Sequence, residues 1–175
     1  YMPTYKISIA GDIRNDGEVG VFDLTSSCMK TIAEQLAYHK VVLVIKLHPM
    51  DELNKHEFTK KEIGNSVLIK SDGFGKVGFG IYDVLAASSC LVTDYSSVCF
   101  DYMSLSRPIG FVIDGSYKRG LVEAVINQKL PGVRIRNSED FVGFVLNGEV
   151  ADNCNIFNEY RDANNSKRLL TALKI

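Results

Sequence analysis

One stretch of the chain, Leu91-Val-Thr-Asp-Tyr-Ser-Ser-Val-Cys-Phe-Asp-Tyr-Met-Ser-Leu-Ser-Arg-Pro108, predicts both the kind of fold and a candidate site. It begins as a short buried strand, continues through the polar run Thr93-Asp94-Tyr95-Ser96-Ser97, and then becomes a helix. The first backbone N–H groups of a helix have no partner within it, and the helix dipole is positive there, so this junction favours an anion. The hydroxyl groups of Ser96 and Ser97 can cap the helix and can also face a phosphate.

Strands and helices alternate along the chain. Residues 41–47 are almost continuously apolar, as in a strand that is buried on both faces. The other strands are predicted at 1–2 (the end of a first strand), 67–69, 91–92, 109–113 and 133–135. Helices are predicted at 24–39 (with Asp23 as N-cap), in part of 51–63, and at 81–88, 96–106, 138–147 and 164–174. This alternation predicts one α/β domain over residues 1–175, with a Rossmann-like parallel sheet and helices on both faces.

The composition excludes several classes of protein. Hydrophobic residues make up 46% and charged residues 23%, as in ordinary soluble globular proteins, and the net charge of −1 favours neither nucleic acid nor an anionic membrane. No apolar run approaches the roughly 20 residues of a membrane-spanning helix, and we expect no signal peptide. The four cysteines, Cys28, Cys90, Cys99 and Cys154, lack metal or disulfide-framework spacing, which indicates reduced thiols in a cytosolic protein. Cys28, Cys90 and Cys99 lie on apolar faces and are expected to be buried.

A second polar point follows the strand at 41–47, where the chain continues as Leu47-His48-Pro49. Ligands of parallel α/β sheets bind at the carboxyl ends of the strands, so His48 and the run at 93–97 are expected at one edge. Pro49 disfavours a helical backbone at His48, so the imidazole can point out over that edge. It can donate a hydrogen bond to a phosphate or act as an acid that helps a phosphate leave; the alternative is a solvated histidine in a turn.

The polar run after the strand at 91–92 also has two interpretations. Serine and threonine are common N-cap residues, but a single cap accounts for only one of Thr93, Asp94, Ser96 and Ser97. We therefore predict that backbone N–H groups and hydroxyls of this run bind a pyrophosphate. Because a carboxylate beside a phosphate is unfavourable, we assign Asp94 to shaping the loop.

Two further features have structural interpretations. Gly73-Phe-Gly75-Lys-Val-Gly78 matches the dinucleotide-binding pattern GxGxxG after a predicted strand. Gly80 follows, however, so the next helix is expected to start after the glycines, and no acidic residue ends a clear next strand. Asp101 is expected to pair with Arg107 or to stabilise the start of its helix.

Several segments resemble one family, in the right order along nearly the whole chain. His48-Pro49, Thr93-Asp94-Tyr95-Ser96-Ser97-Val98-x-Phe100-Asp101-Tyr102 and Arg107-Pro108 are similar to motifs of the CDP-glycerol glycerophosphotransferase family, the teichoic-acid and capsule polymerases of bacteria. The run at 93–102 is the specific part of this resemblance.

Other segments resemble the family individually. Tyr1-Met2-Pro3-Thr4-Tyr5-Lys6 is similar to its YAPTxR segment, with Lys6 in place of Arg. Leu130-Pro131-Gly132 resembles its PG turn, and Asn164-Asn165-Ser166-Lys167-Arg168 resembles its GNSSKR helix start. After Gly120 the chain departs from the family, since Leu121-Val-Glu-Ala124 replaces an aromatic, acidic FYFD run. The acceptor and polyol specificity is therefore not implied by the resemblance.

The resemblance implies a GT-B fold, in which two Rossmann-like halves enclose the active site. This chain is then the C-terminal, nucleotide-binding half, and the N-terminal half is missing. The implied reaction passes the polyol phosphate of CDP-glycerol, or of a related CDP-alditol such as CDP-ribitol, to a teichoic-acid or capsule polymer and releases CMP. His48 is implied as catalytic, and the implied substrate-binding residues are Thr4, Lys6, Thr93, Asp94, Ser96, Ser97 and Arg119.

The resemblance also sets expectations for partners and location. No cofactor, metal or nucleic acid is expected. The full-length protein is expected in the cytoplasm at the inner face of the bacterial membrane, with peripheral association, and the isolated chain is expected to fold without transferase activity. Two alternatives stay open: a UDP-sugar-dependent GT-B glycosyltransferase or epimerase with the same phosphate site, and a non-catalytic nucleotide-binding module.

Overall fold

The computed structural model describes residues 27–46, 66–69, 78, 80–94, 96–112, 130–151, 159–160 and 162–174. The helices are α1 (Ser27–Tyr38), α2 (Ile81–Ala87), α3 (Val98–Met103), α4 (Ser138–Asn147) and α5 (Asn165–Leu173). The strands are β1 (Leu43–Lys46), β2 (Ser66–Ile69), β3 (Leu91–Thr93), β4 (Ile109–Val112) and β5 (Val133–Ile135). The predicted strand end at 1–2, the N-cap Asp23 and the helix within 51–63 lie outside the described residues.

The strands form two groups, and every pair within them is parallel. β1 pairs with β2, and β4 lies between β3 and β5. Aligned Cα pairs include Leu43↔Ser66 in the first group, and Leu91↔Ile109 and Gly110↔Val133 in the second. Parallel neighbours need long crossover connections, and α3 lies in the connection from β3 to β4. The predicted α/β fold with a parallel sheet is confirmed.

Two apolar cores cover the two faces of the sheet. One core joins both strand groups beneath α1 and α4, and its members include Met29, Leu36, Ile45, Val92, Ile135 and Phe141. The other lies beneath α2 and α3, and its members include Leu85, Leu91, Cys99, Tyr102, Ile109 and Phe111. Leu91 and Val92 are neighbours in β3 and point into different cores, as the two-residue period of a strand requires. Helices therefore lie on both faces, as the sequence predicts.

The end of α1 explains why β1 begins two residues later than predicted. Lys40 has a left-handed backbone (φ 61°), and the Val41 N–H donates to the Leu36 carbonyl at 2.9 Å. The Lys40 N–H donates to the Ala37 carbonyl at 2.9 Å, which completes the hydrogen-bond pattern of a Schellman motif. Val41 therefore belongs to the helix terminus rather than to the strand.

Helix α3 is shorter than the predicted helix at 96–106, because i→i+3 hydrogen bonds tighten both of its ends. The Cys99 N–H donates to the Ser96 carbonyl at 3.2 Å, and the Ser106 N–H donates to the Met103 carbonyl at 3.2 Å. Ser106 then adopts a left-handed backbone (φ 52°), and Pro108 disfavours a helical conformation at the residue before it. Six residues remain α-helical.

The segment before β5 is a tight turn held by one arginine. Gly132 has φ 143°, a conformation that favours glycine, and a Cβ there would lie 2.5 Å from the Ile109 carbonyl oxygen. The Arg134 guanidinium donates to the Gly132 and Leu130 carbonyls at 3.0 and 2.9 Å, and it stacks on the Phe111 ring. The turn thereby positions β5 beside β4.

The last helix, α5, has no buried residue. Arg168 binds Asp162 through two hydrogen bonds of 2.7 and 2.6 Å and stacks over the Tyr160 ring. The hydrogen bonds from Arg168 hold the pKa of the Asp162 carboxyl well below its usual range. None of the helices that the structure describes combines the length and the apolar character needed to cross a membrane.

Candidate functional site

The loop between β3 and α3 divides into a buried part and an accessible part. Thr93 and Asp94 are 0% and 2% exposed, and both have interaction partners. Ser96 is half-buried and Ser97 is exposed. The burial of Asp94 fits its predicted role in shaping the loop, and the exposure places the two serines where a ligand can reach them.

Ser97 stands at the N-cap position of α3, but its hydroxyl does not cap the helix. Its backbone is already helical (φ −59°, ψ −17°), whereas a capping side chain goes with an extended backbone. Among the residues that the structure describes, neither the Ser96 nor the Ser97 hydroxyl has a hydrogen-bond partner. A side-chain cap is thus not formed at Ser97, and both hydroxyls are available to a ligand.

The support beneath this loop is apolar and tightly packed. Val98 and Cys99, the first residues of α3, are 9% and 2% exposed and pack in the core under α2 and α3. Burial raises the pKa of the Cys99 thiol to about 11. Burial also raises the pKa of the Cys90 thiol, at the other end of β3. Cys99 is buried, as the sequence predicts, whereas Cys90 is only half-buried. Cys154 and the side chain of Cys28 lie outside the described residues.

Asp101 and Arg107 do not pair with each other. The Arg107 guanidinium donates to the carbonyl oxygens of Ala86, at 2.6 Å, and Ser88, at the end of α2. Asp101 instead lies 3.5 Å from the Tyr82 hydroxyl, which donates to it. Of the two roles expected for Asp101, pairing with Arg107 is therefore not formed, because Arg107 binds the otherwise unsatisfied carbonyls at the end of α2. Asp101 lies in the first turn of α3, where the other expected role, stabilising the start of the helix, places it.

The other predicted site residues lie outside the described residues: Thr4, Lys6, His48 and Arg119. Lys46 lies close in sequence to His48, at the carboxyl end of β1, and is only 8% exposed. Sequence reasoning did not select Lys46, although a charged residue within the apolar run 41–47 is a signal for it. It adds a buried cation at the carboxyl end of a strand, which is the edge of the sheet where ligands bind in this class of fold.

The glycine-rich segment does not continue into a helix. Of its glycines the structure describes Gly78, with φ 75°, and the following Gly80, which is the N-cap of α2. The Gly80 N–H donates to the Asp83 carboxylate at 2.6 Å, so a side chain of α2 itself occupies the helix start. Within the described segments no cluster of three His, Cys, Asp or Glu side chains is arranged for a metal ion.

A cavity of about 860 Å³ does not coincide with the candidate loop. It lies between β1 and β3, with α2 along one side, and the described loop residues Thr93, Asp94, Ser96 and Ser97 do not line it. The candidate ligand site is therefore the surface at Ser96 and Ser97 rather than this interior space.

Comparison with known proteins gives the family of the chain. A family model described as CDP-Glycerol:Poly(glycerophosphate) glycerophosphotransferase matches residues 1–174. The teichoic acid glycerol-phosphate primase of Bacillus subtilis is 29% identical over 167 residues, which cover 87% of this chain and 40% of that protein. The teichoic acid ribitol-phosphate primase of Bacillus spizizenii is 32% identical over 106 residues, which cover 61% of this chain and 25% of that protein.

Solved structures with the same fold include several of the wall teichoic acid polymerase TagF. A TagF variant superposes with a TM-score of 0.64 at 20% identity and covers 99% of this chain and 42% of that chain. A TagF structure obtained after a 30 minute soak with CDPG has a TM-score of 0.56 at 19% identity and covers 99% of this chain and 40% of that chain. TagF is a GT-B-type polymerase, so the Rossmann-like fold expected from the resemblance is confirmed.

The match covers the chain but only part of its relatives. This chain spans about two fifths of the length of the glycerol-phosphate primase and a quarter of that of the ribitol-phosphate primase. The family match, in contrast, includes the candidate loop and nearly every other residue of the chain. The chain therefore belongs to the CDP-glycerol:poly(glycerophosphate) glycerophosphotransferase family.

Proposed function

We propose that this chain is the C-terminal, nucleotide-binding half of a GT-B enzyme that transfers a polyol phosphate to a teichoic-acid or capsule polymer. The observation that carries the proposal is the family match over residues 1–174. The geometry of the loop at 93–97 supports it, because two accessible serines follow two buried residues that keep the loop in place.

The donor is CDP-glycerol or a related CDP-alditol such as CDP-ribitol. The relatives named as glycerol-phosphate and ribitol-phosphate primases support a polyol-phosphate group. The soak of TagF with CDPG supports the cytidine diphosphate form of the donor. The product that leaves is then CMP.

Ser96 and Ser97 bind the pyrophosphate of the donor through their hydroxyls and the adjacent main-chain N–H groups. Because the core beneath α3 holds these donors in place before the ligand arrives, they stabilise developing negative charge better than mobile water does. The short α3 adds only a small dipole, so the individual donors carry most of this effect. Thr93 and Asp94 also belong to the proposed substrate-binding residues, and their part is to hold the loop in place.

Four residues outside the described segments complete the proposed site. Lys6 and Arg119 neutralise phosphate charge, and Thr4 belongs to the same substrate-binding set. His48 assists the departure of CMP by donating a proton or a hydrogen bond to the leaving phosphate. Lys46 strengthens the positive potential at the strand end that precedes His48.

The proposed reaction is a phosphoryl transfer. An acceptor hydroxyl oxygen attacks the phosphorus that carries the polyol, and the bond from that phosphorus to the bridging oxygen of CMP breaks. The hydroxyl proton goes to a base that we assign to the N-terminal half of the enzyme. We place the full-length protein in the cytoplasm, associated peripherally with the inner face of the membrane, where its polymer acceptor is attached.

A transfer assay on the full-length protein tests this function. CDP-glycerol labelled in its glycerol is expected to give labelled polymer together with equimolar CMP, and CDP is expected to compete better than UDP. Stronger competition by UDP or UDP-GlcNAc would instead favour a UDP-sugar enzyme. Nucleotide binding by the full-length protein without transfer to any polyol-phosphate acceptor would favour a non-catalytic module.

A further inference from the structure

An exposed aromatic ring lies beside the helix that follows the candidate loop. Tyr82, in the first turn of α2, is 66% exposed, and its hydroxyl donates to the Asp101 carboxylate of α3 at 3.5 Å. Asp101 follows Ser97 by four residues, so the two lie on one side of α3, about 6 Å apart along the helix axis. The Tyr82 side chain therefore reaches from α2 to within about one helical turn of Ser97.

The direction of α2 places Tyr82 toward the edge of the sheet where ligands bind. The last turn of α2 lies at the amino end of β4, because the Arg107 guanidinium, from just before β4, donates to the Ala86 and Ser88 carbonyls. The first turn of α2 is therefore directed to the opposite edge, which is formed by the carboxyl ends of the parallel strands. The β3–α3 loop follows the carboxyl end of β3 and lies at the same edge.

Two other tyrosines with exposed side chains are placed differently. Tyr38 ends α1 just before the amino end of β1, which is the opposite edge of the sheet, and its ring contacts that of His39. The ring of Tyr160 is covered by the Arg168 guanidinium, 3.9 Å from its centre. Among the residues that the structure describes, Tyr82 is therefore the exposed tyrosine at the ligand-binding edge.

The surroundings of Tyr82 favour a flat, neutral group over a phosphate. Asp83 is its neighbour in the chain and Asp101 lies beside its hydroxyl, and two carboxylates disfavour an anion at this position. A tyrosine ring, in contrast, stacks on any nucleobase, since every base has a flat face. In a nucleoside diphosphate the ribose separates the base from the phosphates, so the group that binds the base must lie beyond those that bind the phosphates. Tyr82 stands at such a position relative to Ser97.

We propose that Tyr82 binds the nucleoside of the donor, with its ring against the base, while Ser96 and Ser97 bind the pyrophosphate. This inference rests on the proposed function, because it takes the β3–α3 loop as the phosphate site. Donor binding then depends on the relative position of α2 and α3. The Ser88 hydroxyl donates to the Tyr102 hydroxyl at 3.1 Å, which joins the end of α2 to α3 and keeps the ring and the serines at a set distance.

Calorimetric titration of the full-length enzyme with CMP and with inorganic pyrophosphate tests the two parts of the site separately. Tyr82→Ala is expected to weaken CMP binding by about tenfold, because stacking of a base on an aromatic side chain contributes affinity of that order. Its affinity for pyrophosphate is expected to stay that of the wild type. Tyr82→Phe keeps the ring and should bind CMP nearly as the wild type does. The matched control, Tyr38→Ala, removes an exposed tyrosine at the opposite edge and should change neither affinity.

A tryptophan at the same position reports stacking directly. This chain contains no tryptophan, so Tyr82→Trp adds an emission that is read as the difference from the unsubstituted enzyme. A base stacked on the indole is expected to quench that emission when CMP is added, whereas pyrophosphate is expected to leave it unchanged. The same substitution at the opposite edge, Tyr38→Trp, should respond to neither ligand.

The outcomes distinguish this inference from the proposed function. Wild-type affinity of Tyr82→Ala for CMP would overturn the inference and leave the proposed function standing. Equal losses of CMP and pyrophosphate affinity would also overturn it, because Tyr82 would then support the loop rather than bind the base. A wild-type enzyme that binds neither CMP nor CDP-glycerol would contradict the proposed function, and the inference with it. Should Tyr82→Ala fail to fold, the response of Tyr82→Trp to CMP decides alone.

Discussion

At the scale of single residues, the candidate site depends on a change of burial within a few positions. Asp94 is 2% exposed, whereas Ser96 is half-buried and Ser97 is exposed. The type and order of these residues could be predicted from the sequence, because a polar run between a buried strand and a helix is a recognisable pattern. The absence of a side-chain cap at Ser97 could not be predicted, because it depends on the backbone angles with which the chain enters α3.

Replacing His48 tests the residue assigned to catalysis. We expect His48→Ala in the full-length enzyme to lower kcat by about 100-fold or more, because general acid assistance commonly contributes that much. The matched control is His39→Ala, which removes an exposed histidine that follows α1 and is expected to leave kcat unchanged. Both variants should unfold at the temperature of the wild type. Wild-type turnover by His48→Ala would remove this residue from the mechanism.

Gly132 permits a test of the turn before β5. Gly132→Ala is expected to lower the free energy of unfolding by about 1–3 kcal/mol, because φ 143° and a contact with the Ile109 carbonyl oxygen both disfavour a Cβ. Gly143→Ala is the control, since a Cβ at that helical position meets nothing within 4 Å. It is expected to raise the free energy of unfolding by about 1 kcal/mol through helix propensity. Urea unfolding measures both, and an unchanged stability of Gly132→Ala would contradict the structure of the turn.

The Cys99 thiol makes stability depend on alkaline pH. Burial raises its pKa from 9.0 to about 11, so the folded state keeps the proton more tightly than the unfolded state does. This stabilisation is complete below pH 9 and is lost as the pH rises through 11. The free energy of unfolding is therefore expected to fall more steeply between pH 9 and pH 11 in the wild type than in Cys99→Ala. Identical slopes would show that the thiol titrates alike in both states.

At the scale of elements, the positions of the described helices and strands were predicted better than their ends. The ranges at 133–135 and 138–147 agree with β5 and α4, where a clear apolar pattern and the Asn137 N-cap define them. The start of β1 and the end of α3 were missed, because Lys40 and Ser106 adopt left-handed conformations that their residue types do not announce.

Arg107 stabilises the end of α2, a helix that is distant from it in the sequence. Its guanidinium binds the Ala86 and Ser88 carbonyls, so Arg107→Ala leaves the end of α2 without these partners. We expect the free energy of unfolding to fall by about 1–3 kcal/mol. The control, Arg136→Ala, removes an exposed arginine and should change the free energy of unfolding by less than about 0.5 kcal/mol. Urea unfolding with hydrogen exchange of α2 distinguishes them; equal effects of the two substitutions would argue against this role.

At the scale of the whole molecule, the alternation of strands and helices was enough to predict a parallel sheet covered on both faces. That β1 and β3 do not pair directly among the described strands could not be predicted in this way, because periodicity identifies elements but not which edges are paired. The family assignment supports the ligand class that we propose, which the physical pattern of a phosphate site leaves open. The donor site that we propose lies at the start of α3.

The most direct test of the donor site is calorimetric titration of CDP-glycerol into the wild type, the double variant Ser96→Ala/Ser97→Ala, and Ser104→Ala. Ser104 is exposed at the opposite end of α3, and its hydroxyl donates to the Asp101 carbonyl rather than facing the loop. We predict that the wild type and Ser104→Ala bind CDP-glycerol equally. The double variant is predicted to lose at least about tenfold in affinity, since hydrogen bonds to charged groups contribute about 1.5–3 kcal/mol each. Undiminished binding of CDP-glycerol by the double variant would contradict a donor site at the start of α3.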